Sequence, residues 1–148
     1  MFIGNPQAAH IIYLPHSPLL PPNWHWQQAD ACAAILQANS NHWRKILVIA
    51  AKIFSSDDNW RQFLHGGLLR EVCLYTEAHS QRPVAGIQLF SGQAVCHALA
   101  LEEHRATPLA SCPKLCRLSA NAWLVPYLDY RQFPNWMIAL LRQQLVIA

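Results

Sequence analysis

The side chains able to do chemistry in this sequence fall in short loops that follow apolar runs. His16 and Ser17 offer a base and a hydroxyl after the run His10-Ile11-Ile12-Tyr13-Leu14. Lys52, Ser55, Ser56 and Asp57 follow residues 45–51 with a cation, two hydroxyls and a carboxylate. Ser91, Gly92 and Gln93 come directly after residues 84–90, and Tyr127, Asp129, Tyr130 and Arg131 end the last apolar run. If these runs are strands of one open α/β sheet, the loops converge, because ligands of such sheets bind outside the carboxyl ends of the strands. The same residue types also serve as helix caps and loop solvation, and fold alone does not imply function.

Within this set, Ser91-Gly92-Gln93-Ala94 is the most suggestive turn. A glycine between a strand and a helix lets an anion or a polar base edge approach backbone N–H groups at a positive helix end. A tight turn that only packs helix on sheet needs the same residues. The sequence has no G-x-G-x-x-G and no G-x-x-x-x-G-K-[ST], which excludes a dinucleotide fingerprint and a P-loop. Cys112-x-x-x-Cys116 with His97 or His104 has the donor types of a tetrahedral metal set. Only one cysteine pair has ligand spacing, however, so no metal and no cofactor are expected. No G-x-S-x-G elbow is present. Ser17 and His16 are chain neighbours, which point apart in an extended segment.

Asp129 is the best acid–base candidate, ahead of His16 and Asp57, because it follows the last strand between Tyr127 and Tyr130-Arg131. As a purely structural residue it would be a solvated carboxylate paired with Arg131. A catalytic or base-reading role requires Asp129, His16 and Gln93 to line one pocket. The polar set is too dispersed over separate loops to predict an enzyme, and the reading leans to a non-enzyme.

The elements that must hold these residues follow from periodicity. Residues 10–14 read as a strand stopped by Pro15 and Pro18. Trp26, Ala29, Ala33 and Leu36 recur at spacings of three and four, which marks a helix. Residues 45–51 read as the clearest strand, continuously apolar after Lys45, as expected of a strand covered on both faces. Ser55 then suits an N-cap for a helix carrying Trp60, Leu64, Leu68, Val72 and Tyr75, with a kink or break at Gly66-Gly67. Residues 84–90 form the next strand and 93–101 a short helix. Residues 115–119 and 123–128 read as two strands, and a closing helix follows Phe133-Pro134-Asn135 with Met137, Leu140, Leu141 and Leu145 inward. This alternation predicts one α/β domain over residues 1–148. It would be a three-layer arrangement with a mainly parallel central sheet, helices on both faces and one antiparallel strand pair.

The composition bounds the rest. Of 148 residues, 53% are hydrophobic and 13% charged, which excludes a disordered chain and a coiled coil, both of which need far more charge. No apolar run is long enough for a membrane span, so no membrane partner is expected. The net charge of +3 is too small to imply an extended phosphate-binding surface. Met1-Phe2-Ile3-Gly4-Asn5-Pro6 lacks the basic and long apolar regions of a secretory signal. Five cysteines without framework spacing suit a reducing compartment, and the cytoplasm is expected. Six tryptophans, at 24, 26, 43, 60, 123 and 136, are spread over loops and helix starts, which suggests an apolar interface and a homo-oligomer.

The chain as a whole is similar to an uncharacterised bacterial family of unknown function, which implies no activity. From Val84 onward, Ile87-Gln88-Leu89-Phe90-Ser91-Gly92-Gln93-Ala94 and Ala122-Trp123-Leu124-Val125-Pro126-Tyr127-Leu128-Asp129-Tyr130 resemble the second half of the uracil-DNA glycosylase-like fold. That half has an apolar strand, a glycine turn into a helix, a variable loop, and a strand ending in a ligand loop before a last helix. The catalytic motifs are missing. Tyr127-Leu128-Asp129-Tyr130 stands in place of the family's His-Pro-Ser loop, and Pro15-His16-Ser17-Pro18 occupies the place of its water-activating loop.

The function expected is therefore binding of a small molecule, nucleotide or nucleobase, or a nucleic-acid end. Lys52 and Arg131 would meet phosphate, Ser91, Gly92 and Gln93 would offer backbone donors, and Tyr127 or Tyr130 would stack a base. His16 and Asp129 complete the candidate set. The alternative is a structural or protein-interaction subunit with no small-molecule site.

Overall fold

The computed structural model describes residues 1–145. Its centre is a parallel sheet of four strands, β2 (His10–Leu14), β3 (Val72–Thr76), β4 (Gln88–Ser91) and β7 (Ala122–Val125), ordered β3-β2-β4-β7. β1 (Phe2–Ile3) pairs antiparallel with β3 at one edge. At the other edge β6 (Cys112–Ser119) pairs antiparallel with β7, and β5 (Thr107–Leu109) with β6. The described residues thus hold three parallel and three antiparallel pairings, where the sequence suggested one antiparallel pair. The parallel ones need long crossovers, whereas β6 and β7 are joined through Ala120-Asn121, a link only antiparallel strands permit.

The largest correction concerns residues 45–51. They form no strand but lie within the 14-residue helix α2 (Asn41–Phe54). Trp43, Ile46, Leu47, Val48, Ile49, Ala50, Ala51, Ile53 and Phe54 are all buried. His42, Arg44 and Lys45 leave the first turn of α2 polar, but residues 46–51 are buried on every side, and an apolar run of that kind looks the same as that of a fully buried strand. Ser55 accordingly closes α2, its N–H donating to the Ala51 carbonyl at 2.9 Å. The N-cap of the next helix, α3 (Trp60–Gly66), is Asn59, which accepts from the Gln62 N–H.

The expected break at Gly66-Gly67 is present, and α4 (Leu68–Glu71) follows it. Val72 and Tyr75, read from spacing as one helix with Leu64 and Leu68, belong instead to β3. There β2 and β1 supply the ladder on either side, which outweighs a helical spacing carried by β-branched and aromatic residues. The first helix, α1 (Ala31–Ala38), starts later than its apolar spacing suggested, with Trp26 and Ala29 in the preceding loop. The strand expected over 84–90 shortens to β4, the helix over 93–101 shortens to α5 (Gln93–Ala98), and the last helix is α6 (Asn135–Gln144).

Alternation along the strands splits the buried residues into two clusters. Ile12, Leu14, Val72, Leu74, Leu89, Trp123 and Val125 pack with residues of α1, α2, α3, α4 and α6. Ile11, Tyr13, Cys73, Phe90, Ala122 and Leu124 belong to a smaller cluster with Val95 and Cys96 of α5. In that cluster Tyr13 stacks on Phe90 with ring centroids 4.8 Å apart, and its hydroxyl accepts the Arg82 N–H at 2.7 Å. The functional consequence lies in the strand order. β2 is first of the parallel strands in the chain, with β3 on one side and β4 then β7 on the other. The order reverses at β2/β4, and a crevice opens at such a reversal beyond the carboxyl ends of the strands.

Candidate functional site

Two cavities flank α5 near the carboxyl ends of these strands. The larger, about 370 Å³, lies among the β4–α5 turn, the end of β7 and β6, with Gln93, Glu103, Lys114, Tyr127 and Gln132 in its wall. The smaller, about 190 Å³, is bounded by the end of β2, the start of the loop after β3, and the other flank of α5, and holds His16.

The larger cavity is shaped by Gly92, whose φ of +88° is the left-handed region that only glycine enters freely. Its N–H is spent on the Val125 carbonyl at 2.9 Å, which ties the turn to β7. A Cβ here would stand 3.6 Å from the Tyr127 ring, an ordinary contact, so it is the backbone conformation and not space that calls for glycine. Ser91 is fully buried and donates to the Pro126 carbonyl at 3.2 Å; its hydroxyl braces the loop and does not face the cavity. The helix α5 has only six residues, so its end supplies little of the dipole expected from sequence.

Tyr127 and Asp129 are each held by α2. The Tyr127 hydroxyl lies 2.5 Å from His42 Nε2, and Lys45 Nζ lies 3.3 Å from Asp129 Oδ1. Burial, with the charge of Asp129 adding to it, pushes the Tyr127 phenol above its ordinary range, so it keeps its proton and can donate to His42. For Asp129, desolvation raises the carboxyl, but hydrogen bonds from Lys45 and from the Arg131 N–H outweigh it and hold the group below the usual carboxylate value. The Arg131 contact is through the backbone at 3.2 Å, and the cation paired with Asp129 is Lys45, not the Arg131 guanidinium.

The expected set is thus brought together only in part. Gly92, Gln93 and Tyr127 share the larger cavity, while His16 faces the smaller one. Asp129 is in the wall of neither, so Asp129, His16 and Gln93 do not converge. Lys52 lies on α2 with its Nζ 3.0 Å from Asn135 Oδ1 and 5.1 Å from the Trp60 ring. It shares a third hollow with Tyr130, whose ring also lies 5.8 Å from Lys45 Nζ. Arg131 is exposed. Cys112 is buried with the larger core cluster and Cys116 packs against the smaller one, so the two thiols face opposite sides of the sheet. Among the described residues no group of three or more His, Cys, Asp or Glu side chains could hold a metal ion.

A family model for DUF6942, a family of unknown function, matches residues 1–146. The chain belongs to DUF6942. No curated protein and no solved structure matches it. No helix among the described residues of this DUF6942 protein is long and apolar enough to cross a membrane. His42, Lys45, Glu103, Lys114 and Gln132, which clamp or line the DUF6942 cavity loops, carry no motif that marks them in the sequence. Gln132 lies one position beyond Arg131 in the loop after β7. His42 and Lys45 become visible only once α2 is known to be a helix, since three residues apart they share one helical face.

Proposed function

We propose that this DUF6942 protein binds a nucleobase, nucleoside or nucleotide in the cavity of about 370 Å³ between the β4–α5 turn and the β7 loop. The observation that carries the reading is the composition of that cavity. Two carboxamides, Gln93 and Gln132, can form paired hydrogen bonds to a base edge, as glutamine does with adenine. Tyr127 supplies an aromatic surface for stacking. Lys114 supplies a cation for a phosphate, in place of the Lys52 and Arg131 expected from sequence. The volume falls at the lower end of the 300–1,000 Å³ typical of ligand pockets, a size for one base and sugar.

The proposal takes the chain as one three-layer α/β domain, supported by the two buried clusters on opposite strand faces. It includes a degenerate glycosylase-like module without activity, because Tyr127-Leu128-Asp129-Tyr130 stands in place of the family's His-Pro-Ser loop. Five free cysteines support a reducing compartment such as the cytoplasm.

Thermal unfolding in the presence of adenosine, AMP, cytidine, UMP and short single strands at low salt is the test. A ligand at a hundred times its dissociation constant adds about 2.7 kcal/mol of stability. The expected result is stabilisation by at least one of them, lost in Gln93→Ala and Tyr127→Ala. No stabilisation by any of them overturns the reading.

A second reading, a self-associating subunit, is favoured by Trp136, which is 58% exposed on the first turn of α6, with Tyr130 44% exposed nearby in sequence. Of the six tryptophans Trp43 and Trp123 are buried in the core and Trp24, Trp26 and Trp60 pack partly buried against it, so the interface expected from sequence narrows to Trp136. Light scattering of the wild type and of Trp136→Ala tests it: an assembly that the substitution dissociates supports it, and a monomer at high concentration removes it.

A further inference from the structure

The smaller cavity, about 190 Å³ between β2 and α5, has a character of its own. Tyr13, Leu14, Pro15, Val95, Ala98 and Leu99 give it an apolar wall. An apolar protein cavity of about 150 Å³ accommodates benzene, so this one has room for a phenyl ring or a short alkyl chain. One carboxylate interrupts the wall. Glu77 sits at φ +55°, a conformation seldom adopted outside glycine, aspartate and asparagine. Its N–H donates to the Leu14 carbonyl at 3.2 Å, which holds this turn against the end of β2.

The carboxylate is also oriented. Ser17 donates its hydroxyl to Glu77 Oε2 at 2.6 Å, and Ser17 Oγ lies 2.6 Å from Oγ1 of the fully buried Thr76. With the Ser17 proton on Glu77, Thr76 is the donor at the 2.6 Å contact, which is shorter than its competing contact of 3.3 Å to the Met1 carbonyl oxygen. One carboxylate oxygen is engaged and the group is fixed, yet among the described residues Glu77 has no ion-pair partner. A residue in a strained backbone region, whose exposed carboxylate is braced by hydroxyls and makes no ion pair beside an apolar slot, although the Met1 ammonium binds the neighbouring Thr76 carbonyl at 2.7 Å, has the features of a binding element.

We propose that this cavity is a second ligand site, selective for a small organic cation, such as a primary amine carrying a phenyl or short alkyl group. The apolar tail fills the slot, the ammonium meets the Glu77 carboxylate, and His16 stands at the same opening as a further hydrogen-bond partner. The site is independent of the nucleobase cavity. Ala94, Val95 and Ala98 of α5 face this one, whereas Gln93 and Cys96 face the other.

Titration of ¹⁵N-labelled protein with benzylamine, benzyl alcohol and phenylacetate tests it. Benzylamine is expected to shift the amides of Ala78, Ala94 and Leu99, to bind about 5-fold more tightly than benzyl alcohol, the size expected of a solvent-exposed ion pair, and phenylacetate to bind weakest. Glu77→Gln, isosteric and unaltered in backbone, should remove that preference while leaving benzyl alcohol binding unchanged. Ala98→Leu, at an exposed position, should fill the slot and abolish binding of both, with nucleoside binding at Gln93 and Tyr127 intact. Equal affinity for amine and alcohol, or no shift at these amides at millimolar ligand, overturns the proposal.

Discussion

Tyr127 and His42 lie 85 positions apart in the chain, yet the phenol oxygen and Nε2 are 2.5 Å from each other. Their rings meet edge to face at 82°. Lys45, one helical turn further along α2, reaches Asp129 in the same loop. The loop beyond β7 is therefore fastened twice to one helix face, and the aromatic ring beside Gly92 is fixed by contacts remote from it in sequence.

Tyr127→Phe separates the two roles of that side chain. It keeps the ring and loses only a partly exposed hydrogen bond, so stability should fall by about 0.5–1.5 kcal/mol with base affinity nearly unchanged. Tyr127→Ala should weaken base binding by the roughly 1–3 kcal/mol typical of a lost stacking partner. Denaturant unfolding together with calorimetric titration of a bound nucleoside checks both; equal affinity in Phe and Ala variants would remove stacking from the account.

The Lys45–Asp129 pair is partly exposed, with 33% and 25% of the two side chains accessible. Its coupling in a double-mutant cycle with Lys45→Met and Asp129→Asn should be under about 1 kcal/mol and should shrink with added salt. Asp129→Asn should leave ligand binding intact, because Asp129 is in the wall of neither α5 cavity. Loss of binding in that variant with an unchanged fold would restore Asp129 to the site.

Gly86 and Gly92 should respond differently to alanine. At Gly86 a Cβ would meet the Ala9 carbonyl oxygen at 2.6 Å, along with the His10 ring, and neither backbone nor ring can withdraw freely. Overpacking of this kind costs about 1–3 kcal/mol. At Gly92 the nearest atom is an ordinary contact away, and the penalty is the positive φ, again about 1–3 kcal/mol. Only Gly86→Ala should perturb the amide of Ile87, whose N–H bonds His10, in a ¹⁵N spectrum.

Stability should depend on pH through His10. Its Nδ1 accepts the Ile87 N–H at 2.9 Å and its ring stacks on Phe54, and burial holds its pKa below the ordinary 6.5. The unfolded chain therefore binds the proton more readily, so the contribution is fully present above pH 6.5 and is lost as pH falls through the lowered folded value. Asp129, also lowered, loses its contribution only below the ordinary carboxylate value of 3.8. Thermal unfolding between pH 7.5 and 5 should show Tm falling, and His10→Asn, which keeps an acceptor without a titrating ring, should flatten the curve. An equally steep curve in that variant would rule out His10 as the source.

Some elements of the fold have local patterns that admit a single reading. The strand at residues 10–14, the glycine turn at Gly92, the strand pair around Ala120-Asn121 and the closing helix are local, and turn chemistry or a one-sided apolar face specifies each. Segments buried on all sides take their form from long-range packing instead. Beyond Lys45, residues 46–51 carry no polar face, so periodicity cannot separate a strand between helix layers from a helix enclosed by a sheet and its neighbours. Packing against the sheet and the surrounding helices settled that choice. Val72 and Tyr75 fit a helical spacing as well as a strand, and the ladders offered by β2 and β1 selected the strand. The site inherited both ambiguities. Gly92, Gln93 and Tyr127 were legible because they follow true strands. Lys52 followed a strand that does not exist, while Glu77 follows β3, whose residues Val72 and Tyr75 the spacing placed in a helix. A residue's place at a sheet edge depends on which strands are neighbours, and strand order is a property of long-range pairing that no local pattern encodes.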